Sequence, residues 1–215
     1  MNNQEKYKLQ TFSELAQLCK GLASDKRLMI LELLNQAPKS VETIAQETGM
    51  SIANTSRHLR VLKQSRLVKF VKNGNHIIYS LTNYRIHSLI NILLDIGEDE
   101  NPELKNIQNF ANSEQNIKII SLKEAQAIAY RSFILDTRPH DEYEYGHIDG
   151  AINIPFTELD DKLDQLPVGK PIIVYCRGRL CPFPNEITQK LNKNGYDAYS
   201  LNSSWQDWQK EKVLR

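Results

Sequence analysis

Residues 171–181 read Pro-Ile-Ile-Val-Tyr-Cys-Arg-Gly-Arg-Leu-Cys, a continuous apolar run followed by a short loop between two cysteines. An apolar run of this length predicts a strand that is buried on both faces, as in a parallel sheet. A cysteine directly after such a strand lies at the carboxyl end of the sheet, where open α/β folds place their active sites. Cys176 is therefore the candidate catalytic nucleophile.

The loop after Cys176 has the composition expected of an anion-binding loop. Its glycine permits a tight turn, its two arginines add positive charge, and a helix predicted from Pro182 directs free N–H groups towards it. We expect these surroundings to lower the thiol pKa and to stabilise a thiolate or a persulfide. Cys181 is either a resolving thiol that forms a disulfide with Cys176 or a packing residue. The expected substrate-binding loop consists of Arg177, Gly178, Arg179 and Leu180.

The pattern on either side of this strand alternates between strands and helices, which predicts an α/β domain with a parallel sheet flanked by helices. A capping box at Ser121 begins one helix, and Gly195 ends the helix that starts at Pro182. A further helix is predicted from Thr157. The predicted strands are 117–120, 133–136, 171–175 and 196–201.

Five motifs in this region resemble the rhodanese family: Leu135-Asp136-Thr137-Arg138, Glu142-Tyr143, Gly146-His147-Ile148, residues 150–155 (Gly-Ala-Ile-Asn-Ile-Pro) and Val174-Tyr175-Cys176-Arg177-Gly178. The resemblance implies a sulfurtransferase in which the cysteine accepts sulfane sulfur from a donor such as thiosulfate and passes it to a thiol acceptor. It also implies that the two loop arginines position the anionic donor. The scaffold is expected to be held by Asp136, Arg138, Glu142 and His147.

The sequence departs from the rhodanese pattern near its end, where Asn202-Ser203 replaces a glycine pair ahead of a tryptophan. This change leaves the fold expectation intact and affects one wall of the pocket. Related phosphatases and arsenate reductases use a loop that is one residue longer and ends in arginine. The six residues from Cys176 to Cys181 therefore favour sulfur over phosphate chemistry.

The first 97 residues differ in charge from the remainder. They carry 13 Lys and Arg against 7 Asp and Glu, a net charge of +6, whereas the rest carries 14 against 19, a net charge of −5. Apolar residues at helical spacing predict helices near 12–22, 28–34, 41–45 and 51–64, and a last helix at 84–96. Between the last two, the runs 67–72 and 76–81 are joined by the turn signal Asn73-Gly74-Asn75, which predicts a hairpin.

This order of elements predicts a winged helix-turn-helix, in which the helix at 51–64 enters the major groove of DNA and the hairpin acts as the wing. Leu59 and Leu62 should face the core, with Lys63 or Arg60 near phosphates. The candidate DNA-binding residues are Asn54, Ser56, Arg57, His58, Arg60, Lys72, Asn73 and Asn75.

Residues 22–34 and the segment Ser56-Arg57-His58-Leu59-Arg60-Val61-Leu62 resemble the ArsR family of repressors. The resemblance implies a homodimer formed by the first and last helices, which releases DNA when a metal or a thiol reagent acts on it. The helix after Pro38 has no cysteine, however, and the last helix offers only His87. We therefore expect no metal site in this half, and no cofactor. Cys19 is predicted to be a small buried apolar residue.

The sequence thus predicts two domains: a mainly α winged helix-turn-helix at 1–97 and an α/β rhodanese-like domain at 117–215, separated by a linker at 98–116. An apolar leader or membrane span is absent, so we expect a cytoplasmic protein that binds a double-stranded DNA operator. The rhodanese domain either controls DNA binding through a Cys176 persulfide, or is a tethered sulfurtransferase uncoupled from it, or is a catalytically silent anion-binding module.

Overall fold

The computed structural model describes residues 2–112 and 117–213. The chain divides between Asp95 and Ile96 into two compact units, and each is described by itself. Within the described residues, no helix combines the length and the apolar character needed to cross a lipid bilayer.

The N-terminal unit combines helices with an antiparallel sheet whose strand order is β1-β3-β2. Its elements, in chain order, are α1 (Asn3–Leu22), α2 (Asp25–Gln36), β1 (Lys39–Ser40), α3 (Val41–Thr48), α4 (Ile52–Gln64), β2 (Val68–Asn73), β3 (His76–Leu81) and α5 (Arg85–Glu100), the last of which continues past the division. The predicted winged helix-turn-helix fold is confirmed.

Short polar residues set the boundaries of the helix-turn-helix formed by α3 and α4. The Ser40 hydroxyl accepts a hydrogen bond from the backbone N–H of Thr43 at 3.1 Å and so caps the start of α3. The Ser51 hydroxyl caps α4 in the same way, through the N–H of Asn54 at 3.3 Å. Because the residues between Thr48 and Ser51 leave no room for a longer loop, α3 and α4 are held as a pair.

The wing is a hairpin in which β2 and β3 pair from Val68↔Leu81 to Asn73↔His76. Gly74 and Asn75 form its turn, and Gly74 has a φ of +58°, a conformation that favours glycine. The hairpin predicted from the sequence is therefore present, and its turn occupies the positions expected.

The core of the N-terminal unit is formed by buried side chains from α2, α3, α4 and the wing, among them Ile30, Ile44 and Leu59. Helix α1 contributes little to it, since only Gly21 of that helix is buried. Cys19 is exposed. The prediction that Cys19 is buried is wrong, because the apolar stripe of α1 on which it lies is largely outside this core.

The C-terminal unit has a parallel sheet with the strand order β5-β4-β6-β7. Its elements are α6 (Pro102–Asn112), α7 (Leu122–Ile128), β4 (Phe133–Asp136), α8 (His140–Tyr145), β5 (Ile152–Asn153), β6 (Ile172–Tyr175), α9 (Phe183–Lys193), β7 (Ala198–Leu201) and α10 (Trp205–Val213). The predicted α/β fold with a parallel sheet is confirmed.

Both faces of this sheet are covered, and the sequence of β6 is apolar throughout because its side chains are buried on both faces. Ile173 and Tyr175 lie in the cluster that includes Trp208 of α10. Ile172 and Val174 lie in the opposite cluster, with residues of α9. Alternate residues of the strand thus pack on opposite layers, which leaves the carboxyl end of β6 as the place where the chain emerges from the core.

Two local predictions differ from the structure. The strand predicted at 117–120 is reduced to a single bridge between Ile119 and Ser200. The helix predicted from Thr157 consists instead of two short 3₁₀ helices, Phe156–Glu158 and Asp160–Gln165. The linker at 98–116, for which the sequence allows partial helix, contains α6, and residues 113–116 of it lie outside the described residues.

Candidate functional site

Cys176 follows directly after β6 and is 3% exposed. The Sγ atom of Cys181 lies 2.8 Å from that of Cys176, and both cysteines are free thiols. The structure therefore brings together the two cysteines that the sequence singles out. Because thiol–disulfide exchange requires direct contact between sulfur atoms, this pair is poised for such chemistry.

The loop between the two cysteines is a tight turn. The backbone N–H of Cys181 donates to the carbonyl oxygen of Gly178 at 3.0 Å. Gly178 has a φ of +114°, which side chains with a Cβ rarely adopt. Leu180 lies at the surface of the loop and is exposed. The following helix, α9, begins at Phe183, so its first turn lies next to the thiol pair.

Both loop arginines are held by carboxylates. Arg177 donates from Nε to Oε2 of Glu142 at 3.0 Å and from Nη2 to Oε1 at 2.5 Å, a two-pronged pair in which the Glu142 side chain is completely buried. Arg179 lies 2.6 Å from Glu98, at the C-terminal end of α5. The charge that the sequence placed behind Cys176 is therefore largely compensated.

The hydrogen bond with Cys181 raises the pKa of Cys176 well above its usual range, and burial and the electrostatic effect of Cys181 act in the same direction. The charge of Arg177 and its backbone N–H lower that pKa, but by less. The prediction that the loop lowers the thiol pKa is thus wrong in direction. The protonated form of Cys176 is therefore favoured, because burial disfavours the thiolate.

Beside the loop, the end of β4 is held by a buried ion pair. Arg138 donates from Nη2 to Oδ2 of Asp136 at 2.6 Å and to the carbonyl of Gly146 at 2.8 Å, and neither charged side chain is exposed. The Tyr175 hydroxyl also donates to Asp136. Burial raises the pKa of Tyr175, and the charge of Asp136 adds to the effect. These contacts join β4 to β6 and agree with the expected scaffold role.

His147 and Glu142, the other expected scaffold residues, also make structural contacts. His147 lies with its Nδ1 2.9 Å from the carbonyl oxygen of Tyr143, and the two rings are stacked. Glu142 holds Arg177, as described above. At the altered end of the rhodanese pattern, Asn202 donates to the Asn112 side chain at 3.2 Å.

A cleft of about 310 Å³ opens onto the two thiols. It is lined by Thr137, Pro139, His140, Pro155, Phe156, Thr157, Glu158, Cys176, Arg177, Cys181 and Phe183. Phe156 and Phe183 form one side, with their rings stacked at 4.3 Å between centroids. His140 and Glu158 form a pair at 3.0 Å. The motifs that identify the loop do not include Phe156 or Phe183, although each directly follows a proline that the sequence analysis used.

The candidate DNA-binding residues of α4 are exposed or partly buried. Leu59 and Leu62 are fully buried as predicted, whereas Arg57 and Arg60 are exposed. Asn54, Ser56 and His58 are partly buried, and Asn54 accepts a hydrogen bond from Arg57 at 3.1 Å. The wing residues Lys72, Asn73 and Asn75 are exposed at the tip of the hairpin.

Two details modify the chemistry expected of this surface. Burial lowers the pKa of His58, and the positive charges of Arg57 and Arg27 add to the effect. The Lys63 ammonium lies 4.3 Å from the centre of the Phe70 ring and so contacts the wing rather than projecting freely. The charged form of His58 is therefore disfavoured, whereas Arg57, Arg60 and Lys63 are exposed cations of α4.

His87, the residue singled out as a lone metal ligand of the last helix, is buried. Its Nδ1 lies 2.9 Å from Nδ2 of Asn35, and its Nε2 lies 3.2 Å from Nδ2 of Asn91. Both ring nitrogens thus face amide groups. In the part of the chain that the structure describes, no three His, Cys, Asp or Glu side chains are grouped as metal ligands.

The fold and site define a winged helix-turn-helix DNA-binding protein that carries a rhodanese-like domain. The family model "Rhodanese-like domain" matches residues 118–211, and the model "Bacterial regulatory protein, arsR family" matches residues 24–69. The chain is 30% identical over 213 residues to the HTH-type transcriptional regulator Rv0324 of Mycobacterium tuberculosis, covering 97% of this chain and 92% of that protein. It belongs to the ArsR-family transcriptional regulators with a rhodanese domain.

Two further similarities cover one part of the chain each. The solution structure of the homodimeric winged helix-turn-helix DNA-binding domain (fragment 1–100) of Mb0332 from Mycobacterium bovis is 31% identical, with a TM-score of 0.42, and the match covers 47% of this chain and 97% of that one. The tRNA sulfurtransferase of Desulfurococcus amylolyticus is 26% identical over 128 residues, which is 59% of this chain and 25% of that protein.

Proposed function

We propose that this regulator takes up sulfane sulfur on Cys176 as a persulfide, that Cys181 resolves the persulfide to a disulfide, and that this change controls DNA binding. The observation that carries the proposal is the 2.8 Å separation of the two Sγ atoms inside the loop. The similarity to a sulfurtransferase supports the first step. Helices α3 and α5 contain no cysteine, so the thiols of the chain are the two in this loop and the exposed Cys19.

The first step transfers one sulfur atom. The Sγ of Cys176 attacks the outer sulfur of a donor R–S–SH, the S–S bond of the donor breaks, and the electron pair and the proton leave with R–SH. The product is Cys176–S–SH. The backbone N–H of Arg177 points at this sulfur and stabilises negative charge that develops there.

The second step uses Cys181. Its Sγ attacks the Sγ of Cys176, the bond to the outer sulfur breaks, and H₂S leaves. The outer sulfur is reduced to sulfide while the two thiols are oxidised to a disulfide, so no further oxidant is required. If an external thiol attacks the outer sulfur instead, it becomes a persulfide and Cys176 returns to the thiol. The same site then acts as a sulfurtransferase.

The DNA-binding half of the proposal rests on α4 and the wing. Arg57 and Arg60 supply exposed cations on the helix, and Lys72 supplies one at the hairpin tip, while Asn73 and Asn75 add amides that can bind phosphates or base edges. The net charge of +6 over the first 97 residues supports an anionic partner. The proposed partner is a double-stranded operator.

We include a homodimer in the proposal because α1 and α5 leave large apolar side chains exposed. A second copy of this chain would remove them from water, and a dimer would match an operator with two half-sites. The test is the mass in solution, measured by analytical ultracentrifugation. The exposed residues are Tyr7, Leu9, Phe12, Leu15, Ile92 and Leu93.

The decisive experiment combines mass spectrometry with DNA binding after treatment with sodium tetrasulfide. We expect an addition of about 32 Da per sulfur atom at Cys176, then a Cys176–Cys181 disulfide, together with a loss of DNA affinity. Cys176→Ser should show none of these changes, whereas the matched control Cys19→Ser should behave as wild type. A loss of affinity that persists in Cys176→Ser would refute the coupling.

The two alternatives give different outcomes in the same experiment. A tethered sulfurtransferase would load and transfer sulfur while DNA affinity stayed constant. A silent anion-binding module would show no sulfur at Cys176 and no turnover that depends on that cysteine. The close pair of thiols favours coupling between the thiol loop and DNA binding, because a disulfide changes the shape of the loop in a way that a transient persulfide does not.

A further inference from the structure

The cleft beside Cys176 has an apolar wall. Phe156 and Phe183 stack on each other, and Pro139 and Pro155 also line the space. Phe183 is 37% exposed and is the first residue of α9, so its ring is available to a bound molecule. A molecule that reaches Cys176 through this cleft lies beside the wall, and apolar carbon in contact with it is removed from water.

The basic side chains that line the same cleft already face carboxylates. Arg177 is held on two prongs by Glu142. His140 lies 3.0 Å from Glu158. The hydrogen bond from Lys162 lowers the pKa of Glu158, which keeps this carboxylate ionised at the edge of the cleft.

Arg179, the second loop arginine, is paired with Glu98 and does not line the cleft. A dianion such as thiosulfate would therefore lose hydration on entering the cleft. Each basic side chain among the described lining residues already faces a carboxylate, so none of them replaces that hydration. Desolvating a doubly charged ion without such compensation is unfavourable.

We infer that the sulfur donor of this site is an organic persulfide, R–S–SH, whose carbon chain lies on the Phe156–Phe183 wall, and that thiosulfate is a poor donor. The inference rests on the proposed function, since it names the donor for the persulfide at Cys176. Phe156 and Phe183 determine donor specificity, and the Glu142–Arg177 pair withholds the cation that thiosulfate would need.

The test compares the rates at which Cys176 gains one sulfur from the persulfide of N-acetylcysteine methyl ester, which has no carboxylate, and from thiosulfate, at equal concentrations, by quenched mass spectrometry of the full chain. We expect loading from the persulfide to be at least about tenfold faster. Phe183→Ala should slow loading from the persulfide about tenfold and leave loading from thiosulfate unchanged. Tyr130→Ala removes an exposed aromatic side chain that does not line the cleft and should change neither rate.

A second variant tests the charge argument. Glu142→Gln keeps the shape of the buried side chain but releases the guanidinium of Arg177, so loading from thiosulfate should become about tenfold faster. Glu144→Gln makes the same chemical change on the exposed side of α8 and should leave it constant. Tryptophan emission shows whether the Glu142 variant is folded, and the Phe183 comparison does not depend on it.

The outcomes separate this inference from the proposed function. The donor inference is overturned if the wild type loads from thiosulfate as fast as from the persulfide, or faster. It is also overturned if Phe183→Ala slows loading from both donors equally. Either result leaves the proposed function intact. Failure of Cys176 to gain sulfur from the persulfide, from thiosulfate and from tetrasulfide overturns both.

Discussion

The Sγ atoms of Cys176 and Cys181 lie 2.8 Å apart at the end of a buried strand, and the second thiol raises the pKa of the first. The loop thus favours the protonated form of its nucleophile. A buried thiol of this kind reacts slowly with general electrophiles, because the thiolate is the reactive form. Selectivity for sulfane sulfur then depends on proximity to Cys181 and on the cleft rather than on a pre-ionised thiol.

Replacing Cys181 should therefore lower the pKa of Cys176. Cys181→Ala removes the hydrogen bond and the neighbouring thiol that favour the protonated form, so the midpoint of the pH profile for alkylation of Cys176 should move to lower pH. The rate below that midpoint rises about tenfold for each unit by which the pKa falls. Iodoacetamide labelling followed by mass spectrometry measures this, with Cys19→Ala as the control. A midpoint that stays in place or rises would contradict the assignment.

The buried pair between Asp136 and Arg138 should contribute strongly to the stability of the C-terminal unit. Asp136→Asn leaves the guanidinium buried without its carboxylate, and we expect a loss of about 3 to 5 kcal/mol in the free energy of unfolding. Urea unfolding followed by tryptophan emission reports this unit, because the two tryptophans, Trp205 and Trp208, both lie in it.

The matched control for the Asp136 variant is an exposed ion pair of the same unit. Lys118 and Asp197 lie 2.7 Å apart with about half of each side chain exposed. Lys118→Ala should change the unfolding free energy by no more than about 1 kcal/mol, because solvent screens such pairs. Similar losses in both variants would show that burial of the Asp136 pair adds nothing.

Lys72 at the wing tip should contribute a phosphate contact. Lys72→Gln should reduce the slope of the logarithm of the DNA dissociation constant against that of the salt concentration by about 0.9 for each copy bound. Fluorescence anisotropy with a mixed-sequence duplex measures this without knowledge of the operator. Lys123→Gln alters an exposed lysine of the C-terminal unit and should leave the slope unchanged. An unaltered slope in the Lys72 variant would exclude the wing from the contact surface.

His58 should titrate below the usual histidine range, because burial and two nearby arginines disfavour its charged form. NMR observation of its ring protons against pH should give a midpoint below about 6.5. DNA affinity should consequently be insensitive to His58 between pH 7 and 8, and any gain from its protonation should appear only under more acidic conditions and be lost in His58→Gln. A midpoint above that of free histidine would show that the nearby carboxylate of Asp25 outweighs burial and the two arginines.

The elements that local signals specify were predictable from the sequence. Ser40 and Ser51 cap the two helices of the helix-turn-helix, and Asn73-Gly74 marks the hairpin turn. Elements that depend on distant partners were missed. The two-residue strand β5 exists because it pairs with β4, and Asn153 within it binds the backbone of Asp136 and Arg138. A strand of two residues is too short to show the alternation of apolar and polar side chains by which strands are recognised in a sequence.

The same distinction applies to the thiol site. Cys176 and its loop could be recognised because strand, nucleophile and glycine are consecutive. The direction of the Cys176 pKa shift could not be predicted, since the distance between the two Sγ atoms depends on the conformation of the loop. Glu142, which neutralises Arg177 from 35 residues away, also leaves no local signal that identifies its partner. Charge counted along the sequence therefore overstated the positive potential of the loop.

The pair between Glu98 and Arg179, and the contacts of Asn112 with Asn185 and Asn202, have a practical consequence for work on the isolated rhodanese domain. A fragment cut at Ile117 would lose the acceptors Glu98 and Asn112. The donor groups of Arg179, Asn185 and Asn202 that bind them would then have to donate to water instead. Sulfur-transfer rates measured on such a fragment would then be those of a loop that has lost these contacts. A fragment that begins ahead of Glu98 retains both acceptors, and with them the ion pair that holds Arg179 of the loop.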